Sequence, residues 1–219
     1  MGFPVPWQRI RTAAAAVGLL VAVYLPAFAA TSLIRPAVPV AIALIIAISL
    51  LAALAIISYL ARRGASFAAF GFSLSSIRWL VLAVGLGLPL ALGAAWLAAA
   101  FPSAAPIDVA SLPPWQQVLF FVIAAPLQEE VIFRGLVQSV LEARWSGVLA
   151  IRGEYLSLAV ICTAGLFALA HIGSGLATVV GALVLSALAG ELRRRSGSLL
   201  PAIAVHSLFN VAAMLVPSA

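Results

Sequence analysis

Apolar residues run along this chain in long blocks broken only by short polar stretches, so the pattern is that of segments apolar all round. A bilayer core about 30 Å thick takes roughly 20 apolar residues of helix. Windows of that kind lie at about 13–33, 38–60, 79–101, 115–141, 155–172, 175–191 and 199–216, which predicts an all-α, multi-pass transmembrane bundle of about seven spans. Two connections stand out. "RRGASFAAFGFSLSSIR" (62–78) is too polar to span and interleaves Phe67, Phe70 and Phe72 with small residues, as suits a segment in the membrane interface. "PSAAPIDVASLPP" (102–114) reads as irregular from its prolines. With no internal repeat, heptad, low-complexity tail or Gly-rich phosphate loop, residues 1–219 read as a single integral membrane domain.

Composition sharpens this. The chain is 65% hydrophobic and only 8% charged, where a soluble domain carries about 25% charged residues. A net charge of +6 would raise nucleic acid as a partner in a soluble protein. Here every cation is arginine, set in short clusters between the apolar runs, and no stretch mixes basic and aromatic residues densely enough to follow a phosphate backbone. The clusters instead give orientation, because short Arg-rich loops stay in the cytoplasm. Arg9 and Arg11, then Arg62, Arg63 and Arg78, then Arg144 and Arg152, then Arg193, Arg194 and Arg195 all fall on one side, while Arg35 and Asp108 fall on the other. The expected topology has the N-terminus inside, the C-terminus outside and an odd number of spans. A rival reading takes residues 1–29 as a signal peptide ending at "AFA" (27–29), but the apolar pattern runs on to Ile34. The lysine-free composition points to a GC-rich bacterial genome and so to a bacterial cytoplasmic membrane. The lone Cys162 rules out an intrachain disulfide and a cysteine-rich metal site.

Ionisable side chains at membrane depth cost from about 2.5 kcal/mol upward, so each one is a functional candidate. They are few: Glu129, Glu130 and Arg134 in "AAPLQEEVIFRGLVQ" (124–138), His171 at the end of the fifth span, and His206 with Asn210 in the seventh. Glu130 and Arg134 stand at i and i+4, the spacing and order of a helical ion pair. Glu129 points about 100° away and is left without that partner. An unpaired buried carboxyl suits a general base or acid, and His171 is the natural imidazole to act with it; alone, His171 reads equally as a histidine bonded to a carbonyl at a helix end. His206 and Asn210, again at i and i+4, face inward together. They can give two hydrogen bonds to one oxyanion, or serve as an interhelical clamp.

Three patches in order, E-E-x-x-x-R (129–134), "FALAH" (167–171) and "HSLFN" (206–210), resemble the motifs of the CPBP family of intramembrane proteases. That group includes the CAAX prenyl endopeptidases of the Rce1 type and the bacterial Abi proteins. The resemblance covers roughly 115–214 and implies hydrolysis of a peptide bond in a membrane-associated protein or peptide. It implies that Glu129 and His171 activate water, that Glu130 pairs with Arg134 to hold the helix, that His206 and Asn210 stabilise the oxyanion, and that Phe167 packs beside the site.

Glu129, His171 and His206 also match the three-ligand composition of a catalytic zinc site. The absence of an H-E-x-x-H helix and the shortage of carboxylates to orient the imidazoles favour a metal-free glutamate mechanism, with no cofactor. Straight spans set Glu129 and His171 about 15 Å apart in depth, so either the "HIGSG" turn (171–175) is recessed beside a polar chamber or the span limits shift. Two other functions use the same residues: a transporter or proton relay, and an inactive scaffold or immunity protein of the same fold.

Overall fold

The computed structural model describes residues 6–101, 111–145, 148–151 and 154–216. Each apolar block becomes a helix. The first three are α1 (Pro6–Ile34), α2 (Val38–Arg62) and α3 (Ile77–Ala100), all long and apolar enough to cross a membrane. A fourth, α4, runs without a break over 114–142, alternating α-helical and wider π-helical turns. It is followed by α5 (Leu158–Ala170), α6 (Leu176–Ser196), which is also of spanning length, and α7 (Leu200–Leu215). The ends follow local chemistry. Proline opens α2 and α7, where its missing N–H costs nothing. Arg193, Arg194 and Arg195 fill the last turn of α6, and Gly197, in the left-handed conformation, stops it.

Among the described residues the bundle is helical apart from one hairpin, which the span pattern does not predict. β1 (Val148–Ile151) pairs antiparallel with β2 (Glu154–Ser157), Val148 opposite Ser157 and Ile151 opposite Glu154. The run "VLAIRGEYLS" puts β-branched and aromatic residues either side of Arg152-Gly153, a hairpin composition. The hairpin takes the first residues of the expected fifth span, so α5 has 13 residues and a length of about 20 Å, well short of a bilayer core.

α4 is the centre of the bundle. Every residue from Val131 to Gln138 is buried, which a helix with one covered face cannot achieve; α1, α2, α5, α6 and α7 all pack on it. α3 lies instead against α7. Its covered face carries Ala83, Gly87, Ala91 and Ala95 at four-residue steps, the small-residue pattern that lets membrane helices approach closely. The approach is tight enough that a Cβ on Gly87 would sit 2.5 Å from a methyl of Val205.

The 62–78 connection is pinned to the far half of the chain. Phe70 turns inward while Phe67 and Phe72 stay exposed. The Gly71 carbonyl accepts from Leu199 N–H at 3.0 Å, Ser73 Oγ donates to the Gly197 carbonyl at 2.7 Å, and Arg193 Nη2 donates to the Ala69 carbonyl at 2.8 Å. Gly71 is at φ 86, and a Cβ there would run into Arg193 and Leu199. This strap gathers the arginine-bearing ends of α2, α3, α4 and α6 at one end of the bundle. Of the loop expected over 102–114, residues 102–110, with Asp108, lie outside the described residues, as do Arg152 and residues 1–5.

Candidate active site

The proline at position 126 shapes the site before any charged residue does. Proline has no N–H, so the Val122 carbonyl four residues earlier loses its helical donor. The N–H of Ala125 reaches back five residues to Phe120, as in a π turn, and leaves the Phe121 carbonyl free as well. In lipid such orphans must be satisfied from another helix. α7 supplies both partners: Ser207 Oγ donates to Val122 at 2.8 Å and Asn210 Nδ2 donates to Phe121 at 2.6 Å. The wide turn of α4 and the polar face of α7 are thereby locked in register.

That register sets His206 against the carboxylates. Its Nδ1 is 2.8 Å from Glu130 Oε1, and its Nε2 faces Glu129 Oε2 at 3.7 Å, too long for a direct hydrogen bond. Glu130 Oε2 lies 3.0 Å from Arg134 Nε, both side chains wholly buried. That contact is a charge pairing, not an aligned hydrogen bond, and the two Nη atoms of Arg134 have no partner among the described residues. The guanidinium instead stacks on Phe167, its Cζ 4.8 Å from the ring centroid. Glu129 keeps 22% of its side chain exposed, so of the two carboxylates it is the one open to water or substrate.

Phe167 is the hub of the apolar side. Phe133 meets its ring edge-on at 4.9 Å, the His206 ring lies 5.7 Å away and the His171 ring 4.6 Å away. The two imidazoles are therefore no farther apart than the sum of their distances to one phenylalanine. Straight spans set His171 about 15 Å from Glu129 in depth; here α5 is short and the His171 ring packs on the same Phe167 that meets His206. His171 Nδ1 bonds the Phe167 carbonyl at 2.8 Å, which makes Nδ1 the protonated nitrogen and leaves Nε2 as an acceptor in the neutral ring.

The structure thus brings Glu129, Glu130, Arg134, His206 and Phe167 into one cluster, with Asn210 one turn along from His206 and His171 behind Phe167. Two placements differ from the sequence expectation. Glu130 serves His206 as well as Arg134, and Asn210 already donates to a backbone carbonyl. Among the described residues no three His, Cys, Asp or Glu side chains converge to hold a metal ion. The Nδ1 contacts of His171 with a carbonyl and of His206 with Glu130 are of the kind that also orients a metal-bound imidazole, so it is the spread of Glu129, His171 and His206, and not the state of their nitrogens, that keeps them from forming a ligand set.

Spacing alone did not single out Ser207, Gln128 or the Phe121 and Val122 carbonyls. Pro126, three residues before Glu129, was the signal that two carbonyls would need side-chain donors.

Residues 111–212 match the family model described as "Type II CAAX prenyl endopeptidase Rce1-like". No curated protein and no solved structure matches the chain. The match takes in α4 to α7 and every residue of the cluster, and leaves α1, α2 and α3 outside.

Proposed function

From the match of residues 111–212 to the Rce1-like family of type II CAAX prenyl endopeptidases, we propose that the chain is a metal-free intramembrane endopeptidase with Glu129 as general base. The observation that carries this reading is the pair of carboxylates on opposite sides of His206, one sealed against Arg134 and one open. With His206 as imidazolium, Glu129, Glu130, Arg134 and His206 sum to zero charge, the arrangement a low-dielectric interior favours.

The two histidines then divide the work by the ring hydrogens they carry. His206 gives Nδ1–H to Glu130 and presents Nε2–H to the site as a donor; His171 presents a bare Nε2 as an acceptor. Water held between Glu129 and His171 Nε2 loses a proton to Glu129 as its oxygen attacks the peptide carbonyl. The new oxyanion takes hydrogen bonds from His206 Nε2–H and from Asn210, whose amide has a second N–H after the one given to Phe121. When the C–N bond breaks, Glu129 returns its proton to the leaving amine.

The substrate is a membrane-associated protein or peptide, and the arginine-rich end of the bundle faces the cytoplasm of a bacterial cell with the N-terminus inside. The test is cleavage by purified protein in liposomes of a panel of quenched fluorescent peptides, prenylated CAAX and transmembrane sequences together. Wild type should cleave at least one member, chelator should leave the rate alone, and Glu129→Gln should lose at least about 10³-fold in kcat while keeping its melting temperature. Full activity in Glu129→Gln sinks the reading, and loss with chelator moves the chemistry to a metal.

A further inference from the structure

The strap over 62–78 carries more positive charge than its neighbours balance. It joins the ends of α2 and α3, both of spanning length, so it lies where the chain leaves the bilayer core. Arg62, Arg63 and Arg78 flank it, all three exposed and none in an ion pair among the described residues. No acidic residue precedes Asp108 in the sequence. At the same end of the bundle Glu142 accepts from Gln138, and Glu191 is held by Arg194 and Arg195. Arg63 and Arg78 instead lie over the rings of Tyr59 and Trp79, their Cζ atoms 5.3 and 4.9 Å from the centroids. Cation and aromatic side by side suit a headgroup layer.

The same strap forms one wall of an apolar cleft of about 380 Å³, whose other walls are Leu127 and Val131 of α4 and Leu200 and Ile203 of α7. Its rim is open: Leu74 is 93% exposed, and Phe72, Leu127 and Leu200 are 40%, 41% and 42% exposed. The strap rests on α4 at Gly135, where a Cβ would come within 3.3 Å of the Phe70 carbonyl. Val131 and Leu127 lie four and eight residues farther into the membrane on the same helix. The cleft therefore starts at the strap, at headgroup level, and runs inward between α4 and α7. Its mouth belongs to a cationic segment and its depth is hydrocarbon.

We propose that strap and cleft together bind an anionic phospholipid of the leaflet on that side, its phosphate held by the arginines of the strap and one acyl chain lying in the cleft. Charge selects the headgroup. Each arginine near an anionic surface is worth on the order of five-fold in binding, and a zwitterionic headgroup offers no net charge to match three of them. The lining selects the chain. Its one hydroxyl, Ser73 Oγ, is already given to the Gly197 carbonyl, so the cleft holds no free side-chain donor or acceptor. A peptide would bring an N–H and a C=O per residue that need partners at membrane depth, whereas an acyl chain brings none. The inference does not rest on the peptidase reading, because it concerns a surface built largely by α2, α3 and the strap between them.

Lipid retention tests this without a cleavage assay. Full-length protein is extracted from vesicles of equal parts phosphatidylglycerol and phosphatidylcholine, and the lipids it keeps are identified by native mass spectrometry. Wild type should keep phosphatidylglycerol over phosphatidylcholine by at least about ten-fold. The triple variant Arg62→Gln, Arg63→Gln, Arg78→Gln should lose that preference, while Arg35→Gln, at the opposite end of α2, should keep it. Leu200→Trp, which fills the cleft from its rim, should lower retention of phosphatidylglycerol with the arginines intact. Thermal unfolding gives a second readout. A rising fraction of phosphatidylglycerol should raise the melting temperature of wild type and not of the triple variant, because a ligand stabilises the form that binds it. In phosphatidylcholine alone the two proteins should unfold together, since these arginines have no ion pair to lose. Equal retention of the two lipids by wild type overturns the proposal, as does an unchanged preference in the triple variant. Wild-type lipid retention in Leu200→Trp together with a raised KM for a cleaved peptide gives the cleft to the substrate, and the proposal falls.

Discussion

The two halves of the chain solve the same problem, filling a helical bundle in lipid, with opposite materials. α1, α2 and α3 bury mostly small residues, among them Ala16, Ala27, Ala53, Ala83, Ala91 and Ala95, and turn large ones such as Val21, Leu51 and Trp96 outward. α4 to α7 bury Glu130, Arg134, Gln138, Arg193 and His206. Small-residue faces fit helices by shape, and each contact contributes little. Buried charges do the reverse: a complete set contributes little net stability, but a broken one is costly. Apart from Tyr24 and Ser49, which accept hydrogen bonds from Gln128 of α4, the first half should therefore tolerate change wherever shape is kept, while the second should fail at single atoms.

Arg134→Met is the strongest way to break that contrast. It leaves Glu130 charged, sealed and facing only His206, and removing one partner of a buried pair costs about 3–5 kcal/mol. Thermal unfolding in detergent should show the loss directly. Adding Glu130→Gln to the same protein should recover much of the stability without recovering activity. If Arg134→Met unfolds like wild type, the buried network is not what distinguishes this half.

Asn210→Ala comes next, and its effect should fall on rate. Losing one oxyanion donor costs about 10²–10³ in kcat. Ser207→Ala, which frees the Val122 carbonyl on the same helix, should cost on the order of 0.6–1.7 kcal/mol in stability and leave kcat nearly unchanged. Equal losses of kcat in the two variants would mean that Asn210 works only as a clamp for the wide turn of α4.

What the sequence made legible follows the same division. Block length located α1 to α7, because lipid asks for long apolar runs, although α5 and α7, with 13 and 16 residues, are shorter than their blocks suggest. The spacing of Glu130 and Arg134 anticipated their ion pair, since i and i+4 contacts are local. Contacts between helices were not legible. Nothing in the pattern tells that His206 Nδ1 meets Glu130, that Asn210 is shared with Phe121, or that Tyr24 lies beside Gln128; these depend on helix rotation and depth, which periodicity in an all-apolar segment does not encode. The hairpin over 148–157 was hidden for another reason. Its residues continue the apolar content of α5, so composition extends the span where β-forming residues end it.

The shape-filling half offers a matched pair on one helix. At Gly87 a Cβ meets the branched side chain of Val205, next to His206, whereas at Gly85 it meets nothing within 4 Å. Gly87→Ala should cost about 1–3 kcal/mol through forced displacement of α7, with a fall in kcat because His206 moves with Val205. Gly85→Ala should be neutral, or stabilising by up to about 1 kcal/mol, from helix propensity. The difference in melting temperature between the two variants is the measurement. Equal values would mean that α3 and α7 do not pack as closely as their small residues allow.

The smallest effect is expected at the arginine-rich end. Glu191 bonds Arg194 at 2.7 Å and Arg195 at 3.0 Å, but the arginine side chains are 33% and 46% exposed, so water competes for both pairs. Glu191→Gln should shift stability by no more than about 1 kcal/mol, and raising the salt should erase that difference, since exposed pairs are screened. Cleavage kinetics should not change. Charge at this end of the molecule then acts on the bilayer and its orientation, while in the proposed mechanism charge around Glu129 acts on the peptide bond. A large, salt-insensitive loss in Glu191→Gln would erase that distinction and make the end of α6 a second buried network, continuous with Arg193 and the strap it holds.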